Sequence, residues 1–120
     1  MSDGTLRAGD YLGHMLDAAR QIQTYADGKA QEDFRAERLL QDAVIRNIEI
    51  LGEASRKLLE SAPDVAARFG AIPFAAIYAM RNQLSHGYFS VDLEVVWRVV
   101  VNDLPELRRQ LEIAVAEFDQ

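Results

Sequence analysis

Cysteine is absent from the 120 residues, which excludes disulfides, thiolate metal sites and cysteine nucleophiles and leaves a reducing compartment permitted. Long apolar runs are absent too. No stretch approaches the roughly 18 to 20 apolar residues that a membrane span needs, and the opening MSDGTLRAGD has no apolar signal core. Cytoplasm is therefore the expected location, with no membrane partner. Glycine-rich phosphate loops, internal repeats, low-complexity segments and linkers are also missing. Basic charge is in short supply: the net charge of -6 argues against a sequence-blind nucleic-acid coat, which gains affinity by neutralising many phosphates. An RNA enzyme with a local basic site is still compatible with that charge. Of the 13 basic residues 11 are arginine, the side chain suited to bidentate phosphate contacts, though surface arginines of a helix-rich chain explain the bias equally well.

What is present points to one helical domain spanning residues 1–120, a length at which a single core is workable. Apolar residues make up 49% and charged residues 27%, ordinary values for a globular protein. Between Thr5 and Tyr25, Ala8, Leu12, Met15, Ala19 and Ile22 recur at three and four, which predicts a first helix ended by Asp27-Gly28. A connection is expected as far as Phe34. A second stripe through Leu40, Val44, Asn47, Leu51, Ala54 and Leu58 predicts the longest helix over 35–59, broken at Pro63, with a short extra turn up to Phe69. Ile72-Pro73 opens a third helix to about Ser85, with Ile77, Met80 and Leu84 as its buried stripe, and Gly87 closes it. Asp92 or Ser90 caps a fourth helix over roughly Val91 to Val101, where Leu93, Val96, Val100 and Leu104 fit three-and-four spacing. Pro105 either starts a fifth helix, capped by Asp103, or kinks one long helix. The expected architecture is all-α, a four-to-five-helix bundle.

The two histidines differ in their surroundings. His14 has no acidic or histidine partner at ligand spacing and reads as a boundary or surface residue. His86 ends the third helix in Met80-Arg81-Asn82-Gln83-Leu84-Ser85-His86-Gly87-Tyr88, where guanidinium, amide, hydroxyl, imidazole and phenol crowd together without a carboxylate that could hold a metal. At about 100° per residue Arg81 falls between Ile77 and Leu84, at the core edge, where a guanidinium requires a carboxylate, backbone carbonyls or a bound anion. His86 leaves an ideal helix about 140° from Arg81, so one chain supplies an incomplete pair. Asn82 and His86, four apart, share a face.

Cleavage of RNA by its own 2'-hydroxyl needs a base, an acid and a cation for the charge on phosphorus, which histidine and arginine provide without a metal. Two readings of Arg81 and His86 stand at this point: that chemistry, or an arginine paired with a carboxylate and a histidine favoured by the helix C-terminus. Asn47 interrupts an apolar stripe and is either a structural polar contact or a wall of an RNA cleft together with Glu53. Gly52 lets another helix approach. Tyr78 and Trp97 either pack or stack on bases.

The string Arg81-Asn82-Gln83-Leu84-Ser85-His86-Gly87-Tyr88 resembles the signature of the HepT toxins of the HEPN superfamily: arginine, four residues, histidine, one residue, tyrosine. Phe89-Ser90-Val91-Asp92, Val96-Trp97 and Ile48-Glu49-Ile50-Leu51-Gly52-Glu53-Ala54 extend the likeness over nearly the whole chain. The resemblance implies a HEPN-type bundle acting as a homodimer, and a metal-independent endoribonuclease toxin needing no cofactor. It also implies a cognate minimal nucleotidyltransferase antitoxin. Arg81 and His86 would be catalytic, Asn82 and Ser85 supporting, and Tyr88 the residue to which the antitoxin transfers AMP. The competing function is a non-catalytic helical module that binds nucleotide or a nucleotidyltransferase partner.

Overall fold

A computed structural model describes the backbone of residues 3–86 and 91–118 and the side chains of 7–84 and 91–118. Among the described residues every regular element is helical: α1 (Asp3–Ala26), α2 (Gln31–Ala36), α3 (Arg38–Ser61), α4 (Pro63–Arg68), α5 (Phe74–His86), α6 (Leu93–Arg98), a π-helical segment (Val99–Asp103) and α7 (Leu104–Phe118). None is long and apolar enough to cross a membrane. The expected all-helical class holds among the described residues, where α1, α3, α5 and the run α6–π–α7 are the longer elements.

Packing follows the apolar stripes. Ala8, Leu12, Met15, Ala19 and Ile22 of α1 are all fully buried, as are Val44 and Leu58 of α3. Ser55 touches Met15 while Lys57 touches Tyr11, so α3 runs back along α1. Arg108 meets Gln23 and Arg20 meets Glu112, which sets α7 antiparallel to α1 on its other side. The segment expected as a connection up to Phe34 is instead α2. Asp33 accepts the Ala30 N–H at 2.8 Å and fixes the first turn. Phe34 then drops into the core and stacks on Trp97 at 5.2 Å between centroids. A single apolar residue gives no periodicity to read, and burial of that one ring holds the turn in place.

Asp92 caps α6, accepting from the N–H groups of Glu94 and Val95, while Ser90 lies outside the described residues. Pro105 does not start a new helix capped by Asp103. The chain continues through it, because the π-helical turn at Val99–Asp103 takes up the hydrogen bond that proline cannot donate and the space its ring needs.

The helix that carries the arginine motif packs chiefly on α3. Phe74 and Leu84 are buried, but Ile77 and Met80 are only half-buried, a departure from the expected stripe. Their far side faces an open groove of about 380 Å³ whose opposite wall is the helical run Val99–Gln110, which does not close on them. The close approach of α5 to α3 is made at Gly52, where an added Cβ would collide with the Arg81 side chain and lie 3.4 Å from the Ile77 carbonyl oxygen. Gly13, inside α1, has open space around the same position. Gly52→Ala should therefore cost about 1–3 kcal/mol through overpacking. Gly13→Ala should gain up to about 1 kcal/mol through helix propensity. Urea unfolding midpoints of the two variants, moving in opposite directions, check this contrast.

Candidate functional site

Arg81 leaves α5 where the stem of its side chain crosses Gly52 of α3, so its position is set by the missing side chain there. That contact carries the guanidinium to the core edge, 30% exposed, as its helical angle predicts. Its partners are weak. Nη2 lies 3.8 Å from a carboxylate oxygen of Glu53, and Nη1 donates to Asn82 Oδ1 at 3.3 Å. Nε is buried without a hydrogen-bond partner among the described residues. A buried donor left this way costs about 1–3 kcal/mol, so the group is poised to gain from an added acceptor.

Glu53 does not neutralise Arg81 because another cation holds it. Arg56, one turn along α3, donates through Nε and Nη2 to the two Glu53 oxygens and through Nη1 to Glu60 at 2.7 Å. These hydrogen bonds from Arg56, with the charges of Arg56, Arg81 and Lys57 behind them, pull the Glu53 carboxyl below the ordinary carboxylate range. Glu53 and Glu60 in turn push the Arg56 guanidinium above its usual range.

Arg81 and Glu53 border a cleft of about 200 Å³ between α1, α3 and α5. His14 enters it from α1, and Arg46, Glu49 and Lys57 from α3. His14 is exposed, as expected, but it belongs to this cleft, which its sequence neighbours could not show. Arg46 and Lys57 escaped the sequence reading as well. The spacing of Arg46, Glu49, Glu53 and Lys57 by three and four residues is the signal that one helix face carries them. Asn47 stands apart from the residues lining this cleft: its amide donates to the Ala43 carbonyl at 2.9 Å within α3. Trp97 packs on Phe34, and Tyr78 is half-buried.

The backbone of α5 stays helical through Ser85 and His86, while their side chains lie outside the described residues, as does all of Tyr88. Since α5 does not unwind before His86, positions 81 and 86 leave it on different faces, about 140° apart. Among the described residues no cluster of three or more His, Asp or Glu forms a metal-ligating group.

A family model described as "Ribonuclease HepT-like" matches residues 15–114. The chain is 37% identical over 110 residues to a Methanocaldococcus jannaschii protein named a gamma-glutamylcyclotransferase and candidate RNase, an alignment covering 92% of this chain and 48% of that protein. The chain thus spans about half the length of that relative. A protein of Thermococcus cleftensis named "Probable ribonuclease HepT" is 36% identical over 103 residues, 86% of this chain and 91% of its own. A second M. jannaschii protein, named a candidate RNase, is 30% identical over 103 residues, 86% and 92% of the two chains. No solved structure matches the chain.

The Arg56–Glu53 pair makes a prediction about acid stability. Glu53 is depressed below its ordinary value of 4.5 in the folded chain, so its contribution is complete above that pH and is lost as pH falls through the lowered value. Glu53→Gln should trail the wild type in urea midpoint above about pH 4.5, and the two should converge in more acidic buffer. With the carboxylate 37% exposed, the gap is expected to stay within about 1 kcal/mol. A constant gap at every pH would contradict the assignment.

Proposed function

The chain belongs to the HepT-like ribonuclease family, and on that premise we propose that it is an RNA-cleaving toxin whose reacting phosphate is held by Arg81. The observation that carries this reading is the Arg81 guanidinium itself. It is fixed at its stem, spared from full pairing by the Arg56–Glu53 contact, and open to a cleft.

The reaction this supports is transesterification. His86 takes the 2'-hydroxyl proton, the 2'-oxygen bonds to phosphorus, and the phosphorus–5'-oxygen bond breaks with the leaving oxygen taking a proton from solvent water, producing a 2',3'-cyclic phosphate end. Arg81 stabilises the charge that gathers on the non-bridging oxygens, which an arginine fork does by two parallel hydrogen bonds. Asn82 orients Arg81 through its Oδ1 contact, and Ser85 is the second supporting residue. No metal takes part in this scheme.

Because positions 81 and 86 point away from each other on one helix, the functional unit in this reading is a homodimer in which two copies of α5 complete the site. A cytoplasmic nucleotidyltransferase antitoxin then silences the toxin by modification of Tyr88. The phenol oxygen attacks the α-phosphorus of ATP, pyrophosphate leaves, and the AMP phosphate competes for Arg81.

Arg81→Ala and His86→Ala should each lower RNA cleavage by at least about 100-fold, the scale of a lost acid–base or charge-stabilising group. They should also relieve growth arrest on expression without the partner. Cleavage should persist in a chelator and leave cyclic phosphate ends. Undiminished cutting by either variant would overturn the assignment, and loss of cutting on chelation would overturn the metal-free route. Incubation with ATP, magnesium and the antitoxin should add an AMP mass at Tyr88 together with loss of cleavage. Full neutralisation of an active Tyr88→Phe toxin would show the modification to be dispensable.

A further inference from the structure

Along α3, Arg46, Ile50, Glu53 and Lys57 follow one another at four, three and four residues and so share a face. Arg46 and Lys57 are eleven residues apart, three turns, or about 16 Å along the axis. Arg81 arrives from α5 opposite Gly52, between them. Three cations therefore stand in a row with the arginine of the proposed chemistry at its centre.

The outer members of this row are available in a way that most of the chain's cations are not, and its centre, Arg81, has among the described residues only the long 3.8 Å carboxylate contact to Glu53. Arg20, Lys29, Arg35, Arg38, Arg108 and Arg109 each have a carboxylate within 4 Å. Arg46 and Lys57 have none among the described residues, and Lys57 instead lies 5.8 Å from the centroid of the Tyr11 ring. Two carboxylates also border the cleft. Glu53 is occupied by Arg56, which leaves Glu49 as the opposing charge against Arg46, Lys57 and Arg81. A concentration of positive charge in a chain of net charge -6 focuses a polyanion on this place.

We infer that this row is a binding track for single-stranded RNA, with the phosphate to be cut at Arg81 and flanking phosphates at Arg46 and Lys57. The inference rests on the proposed function for the role of Arg81, and it adds the substrate's path. A cleft of about 200 Å³ takes a backbone and excludes a duplex. The three cations of the track are placed to contact the phosphates of a single strand.

The test uses the double variant Arg46→Gln/Lys57→Gln, both positions being exposed, after equal thermal stability has been checked. Binding of a fluorescein-labelled 2'-O-methyl oligonucleotide, which lacks the attacking hydroxyl, is measured by anisotropy across a salt series. Loss of two phosphate contacts should reduce the slope of log affinity against log salt by roughly 1.4, at about 0.7 per contact on a single strand. KM for long RNA should rise with it. Cleavage of a dinucleotide, whose one phosphate reaches only Arg81, should fall far less than cleavage of long RNA. An unaltered slope in the variant, with a wild type that binds and cuts RNA, overturns the track and leaves the proposed function standing. Equal loss on the dinucleotide overturns it too, because the residues would then act at the reacting phosphate or on the fold. A wild type that binds no RNA overturns both. Poly-glutamate competing as well as RNA of equal charge would assign the row to an acidic protein partner and overturn the RNA track.

Discussion

The site depends on a missing side chain. At Gly52 the backbone of α3 is bare, and the stem of Arg81 lies across it. A methyl group there would drive the two helices apart, and with them the guanidinium from the cleft. Close packing of this kind is unforgiving, since protein interiors leave little room for even one added carbon. The consequence is a cation fixed at its base and under-coordinated at its tip, with Nε buried and unpartnered among the described residues. Structural arginines at helix contacts are more completely bonded than this, because an unmet donor costs as much as several good contacts supply.

Division of labour among the charges of α3 preserves that state. Glu53 is near enough to attract Arg81 but is held by Arg56, which is itself held by Glu60. The chain of ion pairs thus reaches the arginine of the motif only through the long 3.8 Å contact. Arg81 gains orientation from Glu53 without losing its charge to it. The same arrangement leaves Arg46 and Lys57 on either side as the outer members of a cationic row on an otherwise acidic protein.

Much of this was legible in the sequence, and the reasons are local. The stripe from Ala8 to Ile22 is buried as its period requires, and Asp92 caps α6 as a short acidic side chain before a helix should. The angle of Arg81 between Ile77 and Leu84 places it at the core edge, and Gly52 marks the close approach. What could not be read depends on which faces meet. The six-residue α2 has only Phe34 to announce it, and that ring is explained by Trp97, 63 positions away. Ile77 and Met80 form part of an apolar stripe, yet an open groove separates them from the helical run Val99–Gln110, so period alone overstates their burial. His14, Arg46 and Lys57 acquire a common cleft only when α1 and α3 are laid side by side.

The central claim, that the under-bonded guanidinium of Arg81 is the seat of the RNA phosphate, is tested most directly by the ¹⁵N–¹H resonance of its Nε. A dinucleoside monophosphate carrying 2'-O-methyl at the attacking position is titrated into the intact protein while that resonance is followed. The account predicts a saturable shift of the Arg81 signal at the concentration that inhibits RNA cleavage. An Arg81 resonance that stays in place while the same compound blocks cleavage would contradict it.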